Sequence, residues 1–150
     1  MKIIAHNKKV VHEYFILDSW ECGIVLTGTE IKSIRAGKVA ISDSYARVKD
    51  RELFLVNMNI SKYAMGNLFN HEETRERKLL MKKHDIIRLG LKLKQEGTTL
   101  IPTKVYLKEG LCKVEIALCK GKKLYDKRDD AKEADQKRRM DKVIKNFSSD

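Results

Sequence analysis

Thr99-Leu100-Ile101-Pro102-Thr103-Lys104-Val105-Tyr106-Leu107, then Lys108-Glu109-Gly110, then Leu111-Cys112-Lys113-Val114-Glu115-Ile116-Ala117-Leu118-Cys119 reads as strand, turn and strand. Its β-branched and aromatic residues suit a pleated, half-buried surface. In the second strand Val114, Ile116 and Leu118 fall on one face, and Lys113, Glu115 and Ala117 on the other. That period of two is what a sheet with one buried face requires. Pro102 is the only proline of the chain. It cannot donate to a ladder, so it predicts an edge or a bulge near the start of the first strand.

Working back from this pair, Gly97 stops a helical pattern in which Ile86, Leu89, Gly90 and Leu93 share a face, with Ile87 and Leu91 beside it. Residues 61–77, with Tyr63, Met65, Gly66, Asn67, Asn70 and His71, read as a long surface loop. The alternating run Ile41-Ser42-Asp43-Ser44-Tyr45-Ala46-Arg47-Val48, the polar Lys49-Asp50-Arg51-Glu52 and the apolar Leu53-Phe54-Leu55-Val56 predict a hairpin. Thr27-Gly28-Thr29-Glu30 has the form of a capping box. It opens a short helix over 28–36, with Ile31 and Ile34 on one face and Lys32 and Arg35 outward. Gly37 suits its left-handed stop. After the apolar Ile3-Ile4, the runs 10–17 and 20–26 read as two more strands.

Working forward, Gly121-Lys122-Lys123-Leu124-Tyr125-Asp126-Lys127-Arg128 is a basic joint with one aromatic residue. Beyond it the chain has neither glycine nor proline and is rich in charge. Met140, Val143, Ile144 and Phe147 form one helical stripe there. Such a segment is marginal as a helix in water and suits folding against a partner. The expected fold is therefore mainly β: an OB-fold-like antiparallel barrel with two or three short helices over 1–120, and a basic tail over 121–150.

Lys and Arg number 32 against 21 Asp and Glu, a net charge of +11. Residues 1–119 carry 21 basic and 14 acidic side chains, and the remainder 11 and 7, so both parts are positive. This favours a polyanionic partner, whose condensed counterions the cations release. No apolar run has spanning length or the layout of a signal peptide. Cys22, Cys112 and Cys119 form no CxxC and read as reduced thiols of a cytosolic protein.

His12 beside Glu13, and His71 beside Glu72 and Glu73, are the only drafts of an acid–base pair for RNA cleavage. As strand neighbours, His12 and Glu13 would point to opposite faces. His6, His12, His71 and His84 lack metal-ligand spacing, and no phosphate-binding loop or dinucleotide fingerprint is present. The clusters Lys8-Lys9, Lys32-Arg35-Lys38, Arg75-Arg77-Lys78 and Lys122-Lys123 predict a phosphate-tracking surface. Tyr125, between Lys123 and Lys127, either stacks on a base or anchors the tail to the barrel.

Several of these segments occur together in one known family. Asn7-Lys8 with His12-Glu13-Tyr14, Glu21-Cys22-Gly23, Glu30-Ile31-Lys32-Ser33-Ile34-Arg35, Ser42-Asp43-Ser44-Tyr45, Arg77-Lys78-Leu79-Leu80, Lys113-Val114 and the joint stand in the family's order and spacing. The chain resembles the small protein B family, the tmRNA-binding proteins of bacterial trans-translation. It departs from the family at Ala40 (usually Asn), Glu72-Glu73 (usually an Asp-Pro turn), Lys82 (His or Asn) and Leu107 (Trp). Lys82 and Leu107 fall near the expected RNA face.

The resemblance implies a cytoplasmic, monomeric RNA-binding cofactor with no catalytic group, metal or cofactor. It assigns Asn7, Lys8, His12, Glu21, Arg35, Lys78, Leu80 and Lys113 to the tRNA-like domain of tmRNA. It assigns Gly121, Lys122, Lys123, Tyr125, Asp126, Lys127, Arg128, Val143 and Ile144 to a stalled ribosome, at the small-subunit decoding centre and the empty mRNA channel. The tail is expected to be disordered when free and helical on the ribosome. Elongation factor Tu with GTP is implied only indirectly, on alanyl-tmRNA. Two alternatives remain: a ribosome-associated structural or assembly protein of the same fold, and an RNA-processing enzyme using His12 or His71.

Overall fold

A computed structural model describes residues 1–65, 70–95 and 97–122. Nine strands and three helices are found among them: β1 (Lys2–His6), α1 (Lys9–Glu13), β2 (Tyr14–Ile24), α2 (Gly28–Arg35), β3 (Val39–Ala40), β4 (Tyr45–Lys49), β5 (Glu52–Val56), β6 (Asn59–Ile60), β7 (Arg77–Leu80), α3 (Lys83–Lys92), β8 (Thr98–Lys108) and β9 (Leu111–Gly121). The main sheet runs β1-β8-β4-β5-β7-β2-β9, and β9 also pairs with β8. The ring β8-β4-β5-β7-β2-β9 therefore closes on itself as an antiparallel barrel. A closed ring leaves no edge strand within it.

β8 makes closure possible by dividing one of its edges. Leu100 pairs with Ala46 of β4, while the stretch from Lys104 to Leu107 pairs with β1. The register shifts between Pro102 and Lys104. The proline thus marks a bulge in a strand paired with three others, not an edge.

Two hairpins follow from local backbone. Asp50 and Arg51 both have positive φ, as do Glu109 and Gly110. Positive φ at both central residues is the twist-matched two-residue turn. It joins β4 to β5 through Lys49↔Glu52, and β8 to β9 through Lys108↔Leu111. The capping box on α2 forms: the Thr27 hydroxyl accepts the Glu30 amide and Glu30 accepts the Thr27 amide. Gly37 closes α2 at φ +79°.

Three strand expectations are corrected. The run from Val10 to Glu13 is helical, in α1. Asn7 explains this. Its Oδ1 accepts the Lys9 amide at 3.2 Å, its Nδ2 donates to Pro102 O at 3.3 Å, and its amide donates to Thr103 O at 2.7 Å. Val10 is then buried against Ile101, Ala117 and Cys119 on the outside of the barrel. Tertiary packing overrides the β propensity of two valines. Next, β2 is one strand of 11 residues, unbroken at Asp18-Ser19, with its register shifting between Ile16 and Asp18. Finally, residues 41–44 form a turn, in which the Ser44 hydroxyl donates to Val56 O at 2.8 Å.

The barrel interior is built by alternate residues of the ring together with α2 and α3. Ile34, Leu53, Leu79, Leu89, Leu100 and Ile116 are among its most buried members. Each such side chain contributes about 1.5–3 kcal/mol by leaving water.

Candidate nucleic-acid interface

The pairings carry one row of residues across the outer wall: Leu80 of β7, Gly23 of β2, Lys113 of β9, Tyr106 of β8 and Ile3 of β1. Residues directly opposite across a ladder share a face. Two residues along, the same face carries Glu21, Glu115, Lys104 and His6. Further along β9 this face is covered by α1, through Val10 on Ala117 and Cys119. α1 and its entry bring Asn7, Lys8 and His12 to the border of the open part.

Each proposed contact residue has a definite setting here. Leu80 is 50% exposed. A Cβ built on Gly23 would lie 3.3 Å from Leu80 Cβ, so the glycine gives the leucine room to lie across it. Glu21, 42% exposed, receives a hydrogen bond from the Tyr106 hydroxyl on Oε2, and Lys108 Nζ lies 3.6 Å from the same oxygen. The Tyr106 bond, against a desolvation acting the other way, and the charges of Lys108 and Lys113 hold its carboxyl below the usual range. Lys78 stands two residues before Leu80 on β7, 3.4 Å from Glu52.

The remaining assignments differ in kind. Lys8 and His12 are exposed. Asn7 is buried and spends its side chain on the bulge and on α1, so it shapes the site from beneath. Arg35 is exposed at the end of α2, on an element that does not enter the row. Leu107, expected near the RNA face, packs instead against the barrel interior.

At the joint, Gly121 pairs with Tyr14, and Lys122 donates to Val11 O at 2.9 Å above the Phe15 ring. Lys123, Tyr125, Asp126, Lys127, Arg128, Val143 and Ile144 lie outside the described residues, as does the stripe from Met140 to Phe147.

The Arg75-Arg77-Lys78 cluster is corrected. Arg77 is fully buried, with Nε 2.6 Å from Glu30 Oε2 and Nη1 2.6 Å from Met58 O. Its Nη2 reaches Glu72 O and Glu73 O. Arg75 Nη2 lies 2.7 Å from Glu30 Oε1. The surface loses Arg77, Arg75 is partly exposed but held by Glu30, and only Lys78 is free of that network.

The acid–base drafts change too. His71 is buried, with Nδ1 2.8 Å from the Thr29 hydroxyl and Nε2 2.8 Å from Ile60 O, so both ring nitrogens are engaged. His12 and Glu13 are exposed neighbours on a helix, about 100° apart around its axis, and do not face each other. No His/Cys/Asp/Glu group suited to a metal ion occurs among the described residues. Burial pushes the thiols of Cys22 and Cys119 up to about 12 and that of Cys112 to about 11, the setting of packing cysteines. No described helix is long and apolar enough to cross a membrane.

Sequence reasoning missed Tyr106. It lies 85 residues from Glu21, and no local pattern links the two.

Comparison with known proteins gives a consistent picture. The sequence profile of the SmpB protein family matches residues 4–146. The SsrA-binding protein of Pelotomaculum thermopropionicum is 52% identical over 145 residues, covering 97% of this chain and 95% of that protein. The SsrA-binding protein of Thermoanaerobacter pseudethanolicus is 54% identical over 145 residues, covering 97% and 93%. Among solved structures, a chain from the work described as "tmRNA-SmpB: a journey to the center of the bacterial ribosome" is 46% identical with a TM-score of 0.67, covering 79% of this chain and 83% of that one.

Proposed function

This chain belongs to the SmpB protein family, and on that premise we propose that it is an RNA-binding cofactor of trans-translation. It binds the tRNA-like domain of tmRNA and delivers it to the A site of a stalled ribosome. Peptide tagging and ribosome rescue follow. The protein acts in the cytoplasm and supplies no catalytic group. Elongation factor Tu with GTP meets the complex through alanyl-tmRNA.

The outer wall described above carries this reading. It sets an exposed leucine, a buttressed carboxylate and lysines from three strands side by side. A-form grooves are hard to read, so specific RNA contacts go to unpaired bases and shape, while lysines meet phosphates. A wall that combines apolar, acceptor and cationic groups fits that division. Lys8, His12, Lys78 and Lys113 complete the contact with the tRNA-like domain, Asn7 shapes it from beneath, and Arg35 extends it from α2.

The division of labour is between residues 1–120, which hold the RNA, and 121–150, which probe the empty messenger channel and become helical there. Gly121, Lys122, Lys123, Tyr125, Asp126, Lys127 and Arg128 place the tail, and Val143 and Ile144 stabilise its helix. The test is a protein ending at Lys120. It is expected to retain most affinity for the tRNA-like domain yet fail to tag stalled chains. Loss of RNA binding on truncation would overturn the division, and normal tagging would overturn the role of the tail.

A further inference from the structure

Tyr106 sits on the outward face of β8 but is only 2% exposed. Its hydroxyl is spent on Glu21 Oε2, and Lys104 Nζ lies 5.7 Å from its ring centroid. Among the described residues Glu21 Oε1 accepts no hydrogen bond, and the side chain remains 42% exposed. One carboxylate oxygen is therefore anchored and the other presented.

The surroundings sharpen this. The cross-strand partner of Glu21 is Glu115, a second carboxylate. Like charges directly opposite disfavour each other. Lys104, 3.2 Å from Glu115, and Lys108 offset the conflict. With lysines already beside both carboxylates, the open Oε1 is an acceptor, which a phosphate oxygen cannot use. Its chemistry suits N–H donors instead.

Unpaired bases supply such donors on their Watson–Crick edges. Guanine is distinctive, with N1–H and the 2-amino group side by side. In adenine and cytosine the amino group neighbours a ring nitrogen acceptor, and in uracil N3–H lies between two carbonyls. Leu80, across from Gly23 on the same face, offers an apolar contact for the base ring.

We propose that Tyr106 is a positioning residue that fixes the Glu21 carboxylate so that it selects an unpaired guanine of the bound RNA. This rests on the RNA-binding reading above.

The test uses the full chain, the tRNA-like domain of tmRNA and unrelated structured RNA as competitor. Tyr106→Phe removes one hydroxyl and keeps the ring. It is expected to weaken binding of the tRNA-like domain about fivefold, with unchanged circular dichroism and binding of competitor RNA. In a double-mutant cycle, Tyr106→Phe is expected to add nothing to Glu21→Gln. Replacing unpaired guanines one at a time with inosine deletes the 2-amino group. One such replacement is expected to weaken wild-type binding and leave Glu21→Gln unaffected. Additive effects of the two substitutions, or inosine sensitivity equal in wild type and Glu21→Gln, would overturn the proposal. If the wild-type protein shows no preference for the tRNA-like domain, the RNA-binding reading itself fails, a distinguishable result.

Discussion

Glu30 and Glu21 stand nine residues apart in one chain, and their surroundings give them opposite tasks. Glu30 is fully buried, and both its oxygens are taken: Arg75 and the Thr27 amide on Oε1, Arg77 and Arg75 on Oε2. Glu21 is half in solvent, with one oxygen held and one open. The first locks α2 onto the start of β7, and no partner is left to find. The second is held still while part of its hydrogen-bonding capacity stays available. Completeness of pairing, rather than charge, separates the structural carboxylate from the one proposed to bind.

The strongest way to break this contrast is to remove one member of the buried network. Arg77→Met leaves Glu30 in the interior with Arg75 as its one cation, and a stability loss of about 3–5 kcal/mol is expected in urea unfolding. Glu21→Gln is expected to leave the unfolding midpoint unchanged. Equal losses would erase the distinction.

Acid titration probes the same pair. Burial alone would raise the Glu30 carboxyl, but hydrogen bonds from Arg75, the Thr27 amide and Arg77 outweigh it and pull it down to about 2, from 4.5. A depressed folded value means stability present above about pH 4.5 and lost as pH falls toward 2. The loss should be about 3 kcal/mol. Measured by unfolding at a series of pH values, this acid limb should shrink in Glu30→Gln relative to wild type.

A smaller effect is expected at the RNA face. Glu21→Ala and Leu80→Ala should each reduce the preference for the tRNA-like domain over bulk RNA by about tenfold, near 1.4 kcal/mol. Competition binding checks this, and equal weakening for both RNAs counts against the assignment. The smallest expected change is Gly23→Ala. Its Cβ, 3.3 Å from Leu80 Cβ, displaces the leucine by a few tenths of an ångström. About a twofold affinity loss is expected, with no change in fold.

Legibility in the sequence followed the range of the interactions. The capping box, Gly37 and the polar turn between β4 and β5 are local and could be read directly, and Pro102 left only an edge or a bulge. α1 could not, because its cause is Asn7 reaching the β8 bulge across 95 residues. Arg77 looked like a surface cation because arginine usually is one. Its burial depends on Glu30, 47 residues earlier. The proposed contact residues came through family resemblance, and Tyr106, engaged from behind, left no local sign.

The last two ring strands also fix when the molecule can become whole. β2 is paired along its length with β9, from Tyr14↔Gly121 to Gly23↔Lys113. A strand made near the start of synthesis thus waits for one made near the end. β4 and β1 likewise wait for β8. Contacts so distant in sequence form slowly, since the loop must close before they stabilise anything. Until residues 98–121 are available, the edges of β1, β2 and β4 stand open, and that nascent interval is when the chain is most exposed to mispairing.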